Sequence, residues 1–109
     1  MTDERFSEAM FERLVLEDPE RLVALLQGDA LRPALLTFAA EIAGKLPLSL
    51  VGMALCDLLK HPSALVREGA VYGLQEHRED VRFSIDAVLR VMATDDPSPG
   101  VRAAAGGAA

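Results

Sequence analysis

The two histidines are the residues of this 109-residue chain best suited to acid–base chemistry or metal binding. His61 follows Asp57 by four positions, and His77 lies between Glu76 and Glu79. A carboxylate beside an imidazole can assist proton transfer, and both groups bind transition metals. Neither histidine gathers a third ligand nearby in the sequence. We therefore expect both to cap helix ends or lie on the surface.

Other sequence features of catalytic centres do not occur. The chain has no glycine-rich phosphate loop, no nucleophile elbow, no His-Glu-x-x-His motif and no spaced cysteine set. Cys56 is the single cysteine, so an intrachain disulfide is impossible, and a small buried hydrophobe is its expected role. We expect no enzymatic activity, no metal and no cofactor.

A charged group with helical spacing is formed by Arg82, Asp86 and Arg90. Residues four apart are neighbours on one face of a helix. The group is either a solvated, salt-bridged face or a strip of alternating charge that contacts a partner. We take these three residues as the candidate partner-binding residues.

Helices must position these residues, because the composition favours helix throughout. Half of the residues are hydrophobic and only 5% are aromatic, and Leu, Ala and Val dominate. That apolar content is enough for the core of one domain. Proline, glycine and capping residues divide the chain into six or seven helices. We predict helices from about 3 or 4 to 16, 19 to 28, 30 to 43, 48 to 60, 64 to 77, 79 to 93, and from 98 onward.

The apolar patterns of the fourth and sixth segments predict how these helices pack. Apolar residues occur almost all round the fourth, so we expect it to be sandwiched between neighbours. The sixth has apolar residues at the spacing of one buried stripe. The members of that stripe are Val81, Ile85, Val88, Leu89 and Met92.

An internal repeat is the main signal in the sequence. Residues 61–70 and 96–105 share Pro, Ser, Val, Arg and Ala at an offset of 35. The same interval backwards reaches Arg32, so Arg32, Arg67 and Arg102 are equally spaced, each behind a branched aliphatic residue. We interpret these arginines as structural residues that bridge loops or helix ends. A two-helix unit of this length indicates stacked helical hairpins, because one hairpin cannot bury both apolar faces alone.

The repeated phrase, with Asp96, Pro97 and Ser98 followed by Val101 and Arg102, resembles HEAT repeats of the short bacterial kind, which also occur in phycobilin-lyase-like proteins. The resemblance covers roughly residues 29–105. It implies an α-solenoid in which the second helix of each unit, here 48–60 and 81–93, lines the concave side. It also implies that the repeated arginines tie one repeat to the next.

The resulting domain prediction is a single all-α domain over residues 1–109, an α-solenoid of antiparallel helical hairpins. Residues 1–28 form an atypical N-terminal capping hairpin, 29–60 the first repeat and 61–95 the second. Residues 96–109 form a partial repeat or a frayed terminus, because 103–109 contain only Gly and Ala.

Charge and hydropathy narrow the class of partner. The net charge is −6, and residues 1–20 contain seven acids and two bases. This acidity argues against nucleic acid as the partner. The N-terminus lacks the basic start and apolar run of a signal peptide, and no apolar stretch is long enough to span a bilayer. We expect a cytoplasmic protein that binds no membrane.

These features favour a non-catalytic protein–protein interaction module, or adaptor, that uses a curved helical-repeat surface. One alternative is an immunity or antitoxin-like protein that masks a basic enzyme through charge complementarity. The resemblance adds a second alternative, a chromophore-lyase-like HEAT protein. A third alternative is a purely structural segment of a solenoid, whose C-terminal end, 103–109, packs on further repeats or self-associates with a second copy.

Overall fold

The computed structural model describes residues 6–106, and all regular secondary structure in that range is α-helical. The prediction of an all-α chain is confirmed for these residues. Seven helices are described: α1 (Glu8–Glu17), α2 (Pro19–Gln27), α3 (Pro33–Ala43), α4 (Leu48–Leu58), α5 (Ala64–Gln75), α6 (Ile85–Asp95) and α7 (Pro99–Gly106). None of these seven has the length or apolar character needed to cross a membrane.

Capping residues explain where the first helices begin and end. The Ser7 hydroxyl accepts a hydrogen bond from the Met10 amide and starts α1 at Glu8. Phe6 and Ser7, predicted to be helical, therefore precede the helix, and the predicted start at residue 3 or 4 lies outside the described residues. The Asp18 carboxylate accepts from the Arg21 amide, with Pro19 at the first position of α2. Side-chain oxygens satisfy amides that the first helical turn leaves unpaired. The predicted cap at Asp18 is therefore confirmed.

Packing follows an alternating order along the chain. Helix α3 contacts α1 on one side and α5 on the other, and α5 contacts α7. Among the even-numbered helices, α2 packs on α4. The radius of gyration is 13.2 Å, close to the roughly 13 Å expected for a compact chain of this length, and the extents are 39 × 27 × 21 Å. The two sets of helices enclose one apolar core.

The contact between α3 and α5 is very close because small residues line it. Gly69 lies against Thr37, and Gly73 lies against the carbonyl oxygen of Ala40; a Cβ at either glycine would overlap these atoms. The Thr37 hydroxyl also donates a hydrogen bond to the carbonyl oxygen of Leu65, at 2.7 Å. Backbones can approach this closely only where side chains are absent. The α3–α5 contact is thus fixed in register.

The core consists almost entirely of aliphatic side chains from both sets of helices. Its largest fully buried members are Phe11, Leu22, Leu55, Leu74, Leu89, Val51, Val66, Val71 and Val101. Burial of such side chains is the main favourable term in folding. Helix α4 is buried on one face only, because Met53 on its other face is 77% exposed. Helix α4 contacts α2 and α5, so it lies between neighbouring helices as predicted, although its outer face is open.

Helix α6 differs most from its prediction. It begins at Ile85, six residues later than expected, because residues 80–84 form turns and Ser84 takes a left-handed conformation with φ of 55°. Ile85 and Leu89 are buried as predicted, whereas Val81 is 88% exposed and Val88 is also exposed. The turn removes Val81 from the helix and therefore from the predicted buried stripe.

Candidate interaction surface

The predicted group of Arg82, Asp86 and Arg90 is only partly brought together. Asp86 and Arg90 lie on α6, where Arg90 Nε donates to Asp86 Oδ2 at 2.6 Å. Arg82 lies in the turn before α6 and instead pairs with Asp80, with Nη2 to Oδ2 at 2.9 Å. Its guanidinium also lies 5.3 Å from the centre of the Phe83 ring. The assignment of Arg82 to this strip was wrong, because the chain turns where a continuous helix was expected.

Arg78, which the sequence did not single out, takes the position expected of Arg82. Its Nε donates to Asp86 Oδ1 at 2.6 Å, and its Nη1 donates to the carbonyl oxygen of Ala105 at 2.7 Å. Arg78 follows α5, so its side chain connects the end of α5 to α6 and α7. The separation of eight residues between Arg78 and Asp86 fits no helical spacing, and no sequence signal indicated it.

The carboxylates in these pairs are held in their charged form. Hydrogen bonds from Arg78 and then Arg90 lower the pKa of Asp86 below its ordinary value. The hydrogen bond from Arg82 lowers the pKa of Asp80 in the same way. Because each carboxylate already has a cationic partner, neither offers a free negative charge to another molecule.

Arg67 and Arg102 occupy equivalent positions, and Arg32 does not. Arg67 Nη1 donates to the carbonyl oxygen of His61, and Arg102 Nη1 donates to that of Asp96, six residues back in both cases. Both arginines are the fourth residue of their helices, α5 and α7. Arg32 instead precedes α3 as its N-cap residue. The third registration of the repeat was therefore wrong, because α3 begins after this arginine.

The histidines make local and helix-end contacts. The Ser63 amide donates to His61 Nδ1 at 3.0 Å, as the Ser98 amide donates to Asp96 Oδ1 at 2.9 Å in the next copy of the repeat. His77 Nε2 donates to the carbonyl oxygen of Gly44, at the end of α3, at 2.9 Å. In residues 6–106, no three His, Cys, Asp or Glu side chains are grouped so as to hold a metal ion.

An open groove lies between α4 and α6, which make little direct contact with each other. One half, of about 370 Å³, is bordered by the N-terminal parts of the two helices; the other, of about 610 Å³, by their C-terminal parts. Cys56 borders both halves, so the two depressions adjoin at this residue. The two helices therefore run in the same direction along this α4–α6 groove. We define the groove by Met53, Cys56, Phe83, Val88, Val91 and Met92.

The groove is apolar and accessible. Met53 is 77% exposed and Val91 is 57% exposed, and both Phe83 and Val88 are exposed as well. Large apolar side chains clustered in one accessible depression mark binding sites more often than scattered ones do. The sequence placed Val88 in a buried stripe, because periodicity identifies an apolar face without revealing whether a neighbouring helix covers it.

Charge is uneven along the groove. The larger half, at the C-terminal ends of α4 and α6, is called the wider end of the groove. It is bordered by Asp57, Lys60 and Asp95, together with the buried Asp96. Asp96 is paired with Arg67, whereas no ion pair within residues 6–106 involves Asp57 or Asp95. Both α4 and α6 also end here, and the C-terminus of a helix carries a partial negative charge. The wider end is therefore net negative.

Cys56 lies in the middle of the groove and is half-buried. Burial, and then the neighbouring charge of Asp57, raise the pKa of its thiol above the ordinary value, although Lys60 acts in the opposite direction. A raised pKa leaves the thiol protonated at neutral pH and weakly nucleophilic. Cys56 thus contributes to the groove as an apolar side chain.

The chain was compared with protein-family models, with curated proteins and with solved structures, and none of the three comparisons found a match.

Proposed function

We propose that this protein is a non-catalytic protein-binding module and that the α4–α6 groove is its binding surface. The observation that carries the proposal is the cluster of exposed apolar side chains, among them Met53 and Val91, in a groove that no other part of residues 6–106 fills. Leaving such side chains in water is unfavourable, and a partner that covers them gains the free energy of their burial.

The proposed architecture behind this surface is a short α-solenoid of the HEAT-like kind. Helices α1, α3, α5 and α7 pack in succession, and α2 packs on α4, which is the order expected when two-helix units stack side by side. The matching hydrogen bonds of Arg67 and Arg102 support a repeat that begins before α5 and again before α7. In this arrangement the even-numbered helices form the binding side.

A second candidate is a narrower form of the same function, in which the protein masks a basic enzyme as an immunity or antitoxin-like protein would. Asp57 and Asp95, which have no ion-pair partner within residues 6–106, favour it. The net charge of −6 acts in the same direction, because charge complementarity speeds association with basic surfaces. Photo-crosslinking from the groove would recover the bound enzyme.

Site-specific photo-crosslinking in an extract of the source cell tests the proposed function. A photoreactive phenylalanine analogue replaces Met53 in the groove, and in a control protein it replaces Tyr72, an exposed residue of α5 that does not border the groove. We expect a discrete protein adduct from position 53 and none from position 72. Adducts of equal yield from both positions, or adducts of nucleic acid alone, would contradict the proposal.

A further inference from the structure

The kind of partner that fits the α4–α6 groove can be inferred from its shape and charge, on the basis of the proposed function. We propose that the groove binds an amphipathic α-helix of a partner protein, oriented antiparallel to α4 and α6. The Lys or Arg side chains of that helix lie at the end of the groove that carries Asp57 and Asp95.

The length and walls of the groove fit a short helix. Helices α4 and α6 each have 11 residues, which corresponds to about 16 Å at about 1.5 Å per residue, or three turns of a bound helix. Both walls are helices whose backbone groups are already hydrogen-bonded within the helix, so no strand edge is offered to an extended peptide. Recognition must come from side-chain packing, and a helix presents apolar side chains in a row at i, i+4 and i+7.

Two carboxylates that form no ion pair within residues 6–106 select the charge of the partner. Asp57 and Asp95 border the wider end of the groove, and Lys60 is the cation beside them. Asp96 at the same end is buried and paired with Arg67, and Asp80 and Asp86, away from this end, are also paired with arginine. A basic side chain of a partner therefore finds acceptors at this end, while an acidic one meets net repulsion.

The direction of the bound helix follows from the two helix ends that meet at the same place. Both α4 and α6 direct their C-termini, and hence their partial negative charge, toward Asp57 and Asp95. The N-terminus of a bound helix carries the complementary partial positive charge. Side chains on a helix also tilt toward its N-terminus, so Lys or Arg in its first two turns reaches this end of the groove.

A second copy of this chain fits the groove less well. Leu16 on α1 is its most exposed large apolar side chain outside the turn at 80–84, and Glu12, Glu17 and Glu20 flank it in the sequence. Placing that surface at Asp57 and Asp95 would bring like charges together. With a net charge of −6 on each copy, self-association through the groove is electrostatically disfavoured.

Three synthetic helical peptides test the inference. All carry the same row of three leucines on an alanine background; one has two lysines in its N-terminal turns, one has them in its C-terminal turns, and one has two glutamates in place of the N-terminal lysines. Affinity is measured by fluorescence anisotropy. The rate at which iodoacetamide alkylates Cys56 reports occupancy of the groove, because Cys56 is the single thiol.

We expect the peptide with N-terminal lysines to bind about tenfold more tightly than the glutamate peptide and to slow alkylation of Cys56. The double substitution Asp57→Asn and Asp95→Asn should reduce that preference to about threefold or less. Met53→Glu, at a position whose side chain is 77% exposed, should abolish binding and the protection of Cys56, whereas the control Tyr72→Glu should leave both unchanged.

Three results would overturn the inference. They are equal affinity for the lysine and glutamate peptides, tighter binding of the peptide with C-terminal lysines, and absence of binding by all three. If the alkylation of Cys56 slows as the concentration of the protein itself is raised, the groove is assigned to a second copy instead. If position 53 cross-links to a protein while no peptide binds, the helix inference fails and the protein-binding function stands. If the peptides bind as expected and no protein is cross-linked at position 53, the proposed protein-binding function fails. The preference of the groove for a basic helix then stands.

Discussion

Arg67 and Asp96 form a bidentate ion pair, although they are 29 positions apart in the sequence. Arg67 Nε lies 2.9 Å from Asp96 Oδ2, and Nη2 lies 3.1 Å from Oδ1. The side chains are only 12% and 5% exposed, so the pair is largely shielded from water. Two parallel charge-assisted hydrogen bonds fix both position and orientation. The pair joins α5 to the loop between α6 and α7.

Removing one partner of this pair is expected to destabilise the fold strongly. Arg67→Met leaves the Asp96 carboxylate buried without its cation, and we expect the free energy of unfolding to fall by about 2 to 4 kcal/mol. The matched control is Arg82→Met, because Arg82 is 77% exposed in its own pair with Asp80, and solvent screens such exposed pairs so that they add little stability. Urea denaturation measures the free energy of unfolding of both variants. Equal losses of stability would contradict a strongly stabilising Arg67–Asp96 pair.

Acidification is expected to weaken the same contact. Burial raises the pKa of Asp96, but the hydrogen bonds from Arg67 and from the Ser98 amide and the charges of Arg67 and Arg102 lower it more, so the net pKa lies below the ordinary 3.8. A carboxylate with a lowered folded-state pKa stabilises the fold above its unfolded pKa, and this stabilisation is lost as the pH falls through the folded value.

The corresponding measurement is the free energy of unfolding between pH 6 and pH 2. We expect it to decrease as the pH falls below about 4, and we expect the decrease to be smaller in Asp96→Asn, which cannot be protonated at this position. A variant whose stability depends on pH as steeply as that of the original protein would show that Asp96 is not a source of the effect.

The glycines of α5 provide a test of the close α3–α5 contact. In Gly73→Ala the new methyl group overlaps the carbonyl oxygen of Ala40, and we expect a loss of about 1 to 3 kcal/mol from the displaced backbone. Gly52→Ala on α4 is the control, because its methyl group would meet only the side chain of Leu48 at 3.5 Å. Alanine is the better helix former, so this control should gain up to about 1 kcal/mol. In thermal unfolding, we expect the midpoint temperature to fall for Gly73→Ala and to rise for Gly52→Ala.

Ser84 offers a test of backbone strain. Its φ of 55° lies in the left-handed region, which is unfavourable for residues with a Cβ and accessible to glycine. We expect Ser84→Gly to raise the free energy of unfolding by about 0.5 to 1 kcal/mol. Ser49→Gly, in the helical part of α4, should lower it by about 0.5 kcal/mol. A loss of stability at both positions would show that the turn before α6 is not strained.

The sequence by itself determined the helical character of the chain and most helix starts. Asp18 and Pro19 predicted the start of α2, since a side-chain cap and a proline act on neighbouring residues only. The shared phrase around Arg67 and Arg102 likewise predicted two equivalent helix starts. These are local interactions, and local residue types are sufficient to specify them.

Only the tertiary structure decided which distant groups meet and which apolar faces remain open. Arg78 rather than Arg82 reaches Asp86, because the turn at 80–84 redirects the chain. Met53 and Val91 border a groove because α4 and α6 pack on other helices more than on each other. Spacing within a helix cannot reveal the direction of the chain after a turn, nor whether a neighbouring helix covers an apolar face, since both depend on contacts between residues far apart in sequence.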